Sequence, residues 1–251
     1  MIDISRRKLI VSGLAATAGA SGLAVAARLA RKYGLVPPDH GGIYGLGETL
    51  TYASQRLLMR HSLAREFPRS RISPRPFPNE LALTEDFKRL QAGGFADWRL
   101  SIDGMVYQPA SFSIADLKSY PSRSQITEIA CEEGWSYIAE WIGVPLSHVL
   151  QLVGVHPEAR YVVYVSMEPD TWDSIDMADA LHPQTFLCYG MNGSELPVAH
   201  GGPIRMRLPR QIGYKNKKFI THLTVTNNLN RFGKGLGCVD AEYGYAWYAG
   251  I

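Results

Sequence analysis

The chain has 251 residues, of which 46% are apolar, 10% aromatic and 20% charged; this balance excludes a disordered or collagen-like protein and leaves ample length for a buried core. Its formal net charge of +3 owes much to the N-terminal tail, where Arg6, Arg7, Lys8, Arg28, Arg31 and Lys32 face one acid, Asp3. The body is nearly neutral and lacks the sustained basic face that binding nucleic acid demands. Three cysteines, Cys131, Cys188 and Cys238, are too few and too dispersed for a disulfide scaffold or a Cys-rich zinc site.

Ser5-Arg6-Arg7-Lys8-Leu9-Ile10 precedes an uncharged run, Val11 to Ala27, built almost wholly of Ala, Gly, Leu, Val, Ser and Thr. A charged start before a mildly apolar stretch is an export pattern; the arginine pair resembles the twin-arginine signal, and Ala24-Val25-Ala26 offers a small-x-small cleavage site. Residues 1–30 are expected to be that signal or, since the run sits at the lower edge of what spans a bilayer, an anchor. Either delivers the body to the periplasm, with membrane contact only through this segment or through a partner. Twin-arginine export carries proteins already folded, which suits a cofactor inserted beforehand.

Residues 31–96 read as a Gly- and Pro-rich wrap holding one helix within Tyr52 to Phe67. Residues 97–251 read as the core, the whole of 31–251 forming a single domain. Trp98 to Gly104 alternates as a strand entering a Gly turn, and Ser113 with Asp116 has capping-box spacing for a short helix. Gln125 to Ile129 alternates again and delivers the chain to Cys131. Trp135 to Gly154 is amphipathic, with a helix expected to start at Val144-Pro145 and proline in its first turn. Tyr161 to Val165 has the apolar, β-branched character of a buried strand, and further strands are expected at Thr185 to Gly190, Ile204 to Leu208 and Phe219 to Thr226. Short strands and helices without a steady βαβ period indicate an α+β fold.

Two stretches carry chemistry. Cys131-Glu132-Glu133-Gly134-Trp135-Ser136 puts a thiol at a loop after a strand, although buried cysteines are commonly structural. The second runs from Met191-Asn192-Gly193, a hairpin signal, through His200-Gly201-Gly202-Pro203-Ile204-Arg205 to Gly213-Tyr214-Lys215-Asn216-Lys217-Lys218. It reads equally as a phosphate site with an arginine fork and as a solvated strand edge guarded by lysines.

Taken in order, Cys-x-Glu-Gly-Trp-Ser, Trp-Ile-Gly-Val-Pro-Leu, the Ser174 to Pro183 stretch, and Tyr-Gly-Met-Asn-Gly-x-x-Leu-Pro-x-x-His-Gly-x-Pro-x-Arg resemble the molybdopterin-binding domain of the sulfite oxidase superfamily. The resemblance covers roughly Trp98 to Thr226, and among its members the pattern is most similar to small exported methionine sulfoxide reductase subunits. It implies mixed sheets with short helices and a molybdenum-molybdopterin cofactor in the form lacking an added nucleotide. By resemblance, Cys131 is the metal's thiolate ligand, His200 and Arg205 hold the pterin phosphate, and Asn216, Lys217 and Lys218 close over it. Ser166 and Asn79 are further cofactor contacts, and Glu133 is an acid that relays protons.

Sulfite oxidases place a substrate-binding arginine shortly after the metal cysteine, where this chain has Gly134-Trp135-Ser136. Glu132 adds a second negative charge beside the thiol, so neutral S-oxides or N-oxides are expected as small-molecule substrates rather than sulfite. No Cys-x-x-Cys-His haem motif occurs, so electrons are expected from a membrane b-type or soluble cytochrome. A monomer is expected, since no dimerisation domain follows Lys218. The other readings are oxidation of a small sulfur compound, a cysteine hydrolase using Cys131, and a non-catalytic tethered domain. No histidine pair has metal-ligand helical spacing, so zinc is not expected. Cys188 is expected in the core, Cys238 exposed among glycines, and Trp135 and Trp172 in packing or at the mouth of a substrate funnel.

Overall fold

The computed structural model describes residues 28–42, 44–79 and 83–251; the export run lies outside them. The chain divides into two compact units, Met1–Ser62 and Leu63–Ile251. Among the described residues no helix is long and apolar enough to cross a membrane.

In the first unit, helix α1 (Gly45–Leu58) begins well before the expected Tyr52 and stops short of Phe67. Its start needs glycine, because a Cβ on Gly45 would lie 1.9 Å from the carbonyl oxygen of His40. It ends in a turn where the Ser62 amide and hydroxyl both donate to Met59 O, at 3.0 and 2.7 Å.

The second unit holds two sheets. The strands are β1 (Leu100–Gly104), β2 (Ala110–Phe112), β3 (Arg123–Ala130), β4 (Ser136–Pro145), β5 (Tyr161–Ser166), β6 (Trp172–Asp176), β7 (Phe186–Met191), β8 (Ser194–Glu195), β9 (Arg205–Arg207) and β10 (Ile220–Thr226). One sheet has the order β2-β1-β10-β5-β6; the other runs β3-β4-β7-β8, with β9 also on β7. Only the β1–β10 pairing is parallel among these ladders. With helices α2 (Glu85–Ala92), α3 (Ile114–Ser119), α4 (Leu146–Val153) and α5 (Met177–Ala180), this is the α+β arrangement expected.

Several elements follow from local chemistry. The Ser113–Asp116 capping box is present, with Asp116 N donating to Ser113 Oγ and Ser113 N to Asp116 Oδ2. Asn192 and Gly193 both take positive φ, 52° and 80°, in the two-residue turn joining β7 to β8. Helix α2 fell outside the sequence reading; Thr84 caps it, accepting from Phe87 N, and Phe87 packs edge-on against Phe219 at 4.7 Å.

Two elements differ from expectation. The stretch after Trp135 first forms β4, buried along most of its length, and Pro145 ends that strand and caps α4 instead of standing in its first turn. A strand covered on both faces loses its alternation and resembles a helix segment. Strand β6 was missed because its inward side chains are polar. Asp173 pairs with Lys215, Ser174 Oγ donates to Gly237 O, and Asp176 caps α5 by accepting from Asp179 N. Burial of polar groups is tolerated where each finds a partner. Cys188 is buried as expected, whereas Cys238 is 1% exposed, not solvent-facing, because the segment after β10 folds back over β6.

Candidate cofactor site

Strand β3 ends at Ala130, and the next residue, Cys131, opens the turn into β4. Cys131 N donates to Trp135 O at 2.8 Å and Gly134 N to Cys131 O at 3.1 Å. Gly134 takes φ 91°, a left-handed conformation that glycine adopts without strain. The turn sets the thiol on the wall of a cavity of about 240 Å³, whose lining includes Phe77, Asn79, Glu132, Trp135, Tyr137, Glu168, His200, Arg205, Tyr214, Asn216, Lys217 and Lys218. Gly213 passes so close beneath that a Cβ there would lie 3.1 Å from Cys131 Cα.

The Cys131 thiol donates to Glu132 Oε2 at 3.1 Å. Burial first, then the neighbouring Glu132 and Glu133 carboxylates, push it up to about 12. Such a thiol is no nucleophile at neutral pH, and among the described residues no histidine bonds it, which leaves a cysteine hydrolase without its base. It becomes a thiolate only against a strongly bound soft metal.

Opposite chemistry gathers on the segments around β9. Arg205, 3% exposed, donates from Nη1 to His200 O at 2.8 Å and from Nη2 to Asn216 O at 2.7 Å, while its buried Nε has no partner. Lys218 Nζ donates to Ala199 O at 3.0 Å and, among the described residues, forms no salt bridge. Burial first and then Arg205 hold Lys218 down to about 8, and burial followed by Arg205 and Lys218 holds His200 down to about 4, a neutral ring. Gly201, at φ 104°, lets this loop approach Lys218; a Cβ would meet Lys218 Cβ at 2.9 Å.

The other residues singled out from the sequence divide. Asn79 lines the cavity and donates to Glu133 Oε2 at 2.8 Å, an oxygen that also accepts from Trp135 Nε1 at 2.7 Å; Glu133 itself is not part of the lining. Asn216 touches the cavity, but its side chain accepts from Arg207 and Leu208 N and donates to Gln211 O and Ile212 O, so it braces the loop. Lys217 pairs with Asp240 at 2.6 Å. Ser166 does not line the cavity; its Oγ accepts from Glu168 N, and Glu168 does line it. Trp135 is in the wall and Trp172 is not. Phe77, Tyr137 and Tyr214 were missed. Tyr137 was legible, since in a strand it shares a face with Trp135 two residues before, and the rings stack at 5.7 Å and 11°.

A second group, Asp173, Cys238 and Asp240, brings potential ligand atoms within 4.8 Å of one another. Lys215 and Lys217 already pair with the two carboxylates, so the group is charge-balanced without a cation.

The cavity thus combines a thiol with two cations, Arg205 and Lys218, that form no salt bridge among the described residues, and an orphaned guanidinium N–H. This donor set fits a group carrying both a soft metal and an anionic phosphate, which molybdopterin with its metal is.

Comparison with known proteins agrees. Residues 89–231 match the family described as "Oxidoreductase molybdopterin binding domain". The chain is 38% identical over 191 residues to a protein of Azospira oryzae provisionally named protein-methionine-sulfoxide reductase subunit YedZ1, covering 76% of this chain and 69% of that protein. It is 30% identical over 141 residues to the protein-methionine-sulfoxide reductase catalytic subunit MsrP of Ralstonia nicotianae, covering 50% of this chain and 43% of that one. The fold is similar to the crystal structure of the sulfane dehydrogenase SoxCD from Paracoccus pantotrophus, with a TM-score of 0.54, 22% identity, and 67% and 46% of the two chains covered. The chain therefore belongs to the molybdopterin-binding oxidoreductase family, in the sulfite oxidase superfamily, and is a molybdopterin-dependent enzyme.

Proposed function

We propose that this enzyme reduces a neutral S-oxide, or alternatively an N-oxide, by oxygen atom transfer. The observation that carries this reading is the Glu132 carboxylate on the cavity wall, bonded to the Cys131 thiol, with no arginine between Cys131 and Tyr137 to attract an anion. An anionic substrate would meet that charge in a cavity of reduced dielectric, and a neutral oxide would not. The names of the two curated relatives, both methionine-sulfoxide reductase subunits, support the same class.

Cys131 would ligate molybdenum, and Arg205, Lys218 and His200 would hold the pterin phosphate, with Asn79 at the rim. Asn216, Lys217 and Ser166 would support these contacts through the bonds described above. The bound group, in the form without an added nucleotide, supplies two-electron oxygen exchange with the substrate. Glu133, its Oε2 fixed by Asn79 and Trp135 just behind the cavity wall, would relay protons to the site through the groups at its rim. Electrons would come from a cytochrome, soluble or in the membrane, after twin-arginine export of residues 31–251 to the periplasm as a monomer. Metal and pterin analysis, followed by turnover of S-oxides with reduced viologen against sulfite-dependent cytochrome reduction, tests the reading. Efficient sulfite oxidation without oxide reduction overturns it.

A further inference from the structure

Tyr137 is 4% exposed, and its hydroxyl lies 3.1 Å from Nδ1 of His200. The phenol ring stands edge-on to the imidazole at 5.6 Å and stacks on Trp135 at 5.7 Å. Among the described residues no protein group bonds His200 Nε2, and His200 lines the cavity.

The direction of the Tyr137–His200 bond decides what the cavity meets. A neutral imidazole carries one N–H and one bare nitrogen, and the hydrogen bond made by one fixes the role of the other. The guanidinium groups of Arg205 and Arg207 both act on the phenol oxygen, attracting its lone pairs and turning its hydrogen away from them. The hydrogen then faces Nδ1, which must be bare to accept it. The ring proton goes to Nε2.

We infer that Tyr137 is a positioning residue that holds His200 in the Nε2–H tautomer, so that the cavity receives a neutral, correctly aimed donor for a phosphate oxygen beside Arg205 and Lys218. This rests on the cofactor reading only for what Nε2 meets; the tautomer is a property of the chain. The arrangement has a clear advantage over an imidazolium. A third cation between Arg205 and Lys218 would be costly when the site is empty, whereas a neutral N–H adds a directed bond without charge. With Nδ1 protonated instead, a bare nitrogen would face the phosphate and repel it.

The test uses full-length purified holoprotein, labelled with ¹⁵N at histidine. The expected His200 signals are a protonated Nε2 and an unprotonated Nδ1, unchanged from pH 8 to pH 5.5. Tyr137→Phe, which removes only the hydroxyl, should broaden or shift both signals toward mixed tautomers and speed release of fluorescent pterin about tenfold, the scale of one bond to a charged group. A protonated Nδ1 in the unaltered protein overturns the inference, as does a variant whose tautomer and release rate match the parent. If Tyr137→Phe does not fold, the tautomer of the unaltered protein decides alone. Protein purified without pterin would count against the cofactor reading, while the nitrogen signals would still decide this one.

Discussion

Lys215 and Asp173 form an ion pair in which neither side chain has any exposure, with Lys215 Nζ also donating to Ser174 O at 2.9 Å. Lys215 lies in the short turn Gly213–Lys215 that passes beneath Cys131, and Asp173 lies in β6, so the pair ties the cofactor loop to the other sheet. Its ammonium also sits 5.5 Å from the centre of the Trp247 ring, joining the C-terminal segment to the same point. Burial pushes Asp173 up to about 6 against the opposing pull of Lys215.

Removing one partner is therefore expected to cost far more than removing both. Lys215→Met should lower unfolding free energy by about 3–5 kcal/mol, the scale for stranding a buried charge. Lys215→Met combined with Asp173→Asn should recover most of it. A carboxyl whose folded pKa is raised contributes stability at low pH that is lost as pH rises through the folded value. Without the pull of Lys215 the Asp173 carboxyl in the single variant should titrate above its parent value of about 6, so the variant should lose stability as pH rises through that higher value and regain it on acidification. Urea titrations between pH 5 and 8 check this; equal losses in the single and double variants would show that the pair is not the tie.

Cys131→Ser should leave the fold in place, since Sγ makes one contact with Glu132 and the turn is held by backbone bonds. Molybdenum content and turnover should fall to background, because an alcohol is a poor ligand for a soft metal site. Thermal unfolding within a few degrees of the parent, read beside metal analysis of the same sample, separates loss of the ligand from loss of the fold. A variant that retains its metal and full activity would remove Cys131 from the metal's shell.

How much was legible depended on where polarity and burial agreed. The Ser113–Asp116 box, the Asn192-Gly193 turn and the alternation leading to Cys131 are local signals, and each appears as read. Strand β6 was hidden because Asp173, Ser174 and Asp176 are buried only by virtue of Lys215, Gly237 and α5, partners distant in sequence or dependent on the fold. The site shows the same divide. Cys131, His200, Arg205 and Lys218 could be named from ordered motifs, but their division of labour could not. Nothing in the sequence near Asn216 says that its amide is consumed by Arg207, Leu208, Gln211 and Ile212. Nor does it say that Lys217 turns to Asp240 while Lys218 donates to the Ala199 carbonyl.

In the proposed site, Lys218 should give the pterin phosphate a pH-dependent grip. With the lysine held down to about 8, the empty site loses that cation as pH rises through 8, while a bound phosphate favours the charged form and moves the loss upward. Pterin release should be slow and flat below pH 7 and accelerate between pH 8 and 10. Lys218→Met should release pterin about tenfold faster at pH 7, consistent with losing one charge-assisted bond, and its release should vary little over that range. Released-pterin fluorescence against pH measures both; an unaltered alkaline acceleration in Lys218→Met would assign the titration to another group.

The choice between neutral and anionic substrates can be tested at Glu132. Its carboxylate lies on the cavity wall and accepts from the Cys131 thiol, while Glu133 is held outside the lining by Asn79 and Trp135. A unit charge about 5 Å from an approaching anion is worth about 3 kcal/mol at an effective dielectric near 20, and less once solvent at the mouth screens it. Glu132→Gln keeps the size and one acceptor oxygen while removing the charge. It should raise kcat/KM for sulfite about tenfold and change kcat/KM for a neutral sulfoxide about twofold or less, with the difference shrinking as ionic strength increases. Parallel steady-state assays on the two substrates at low and high salt give the ratio directly. If both substrates respond alike, the charge beside the thiol does not discriminate between them, and the preference for neutral oxides would need another origin in the cavity.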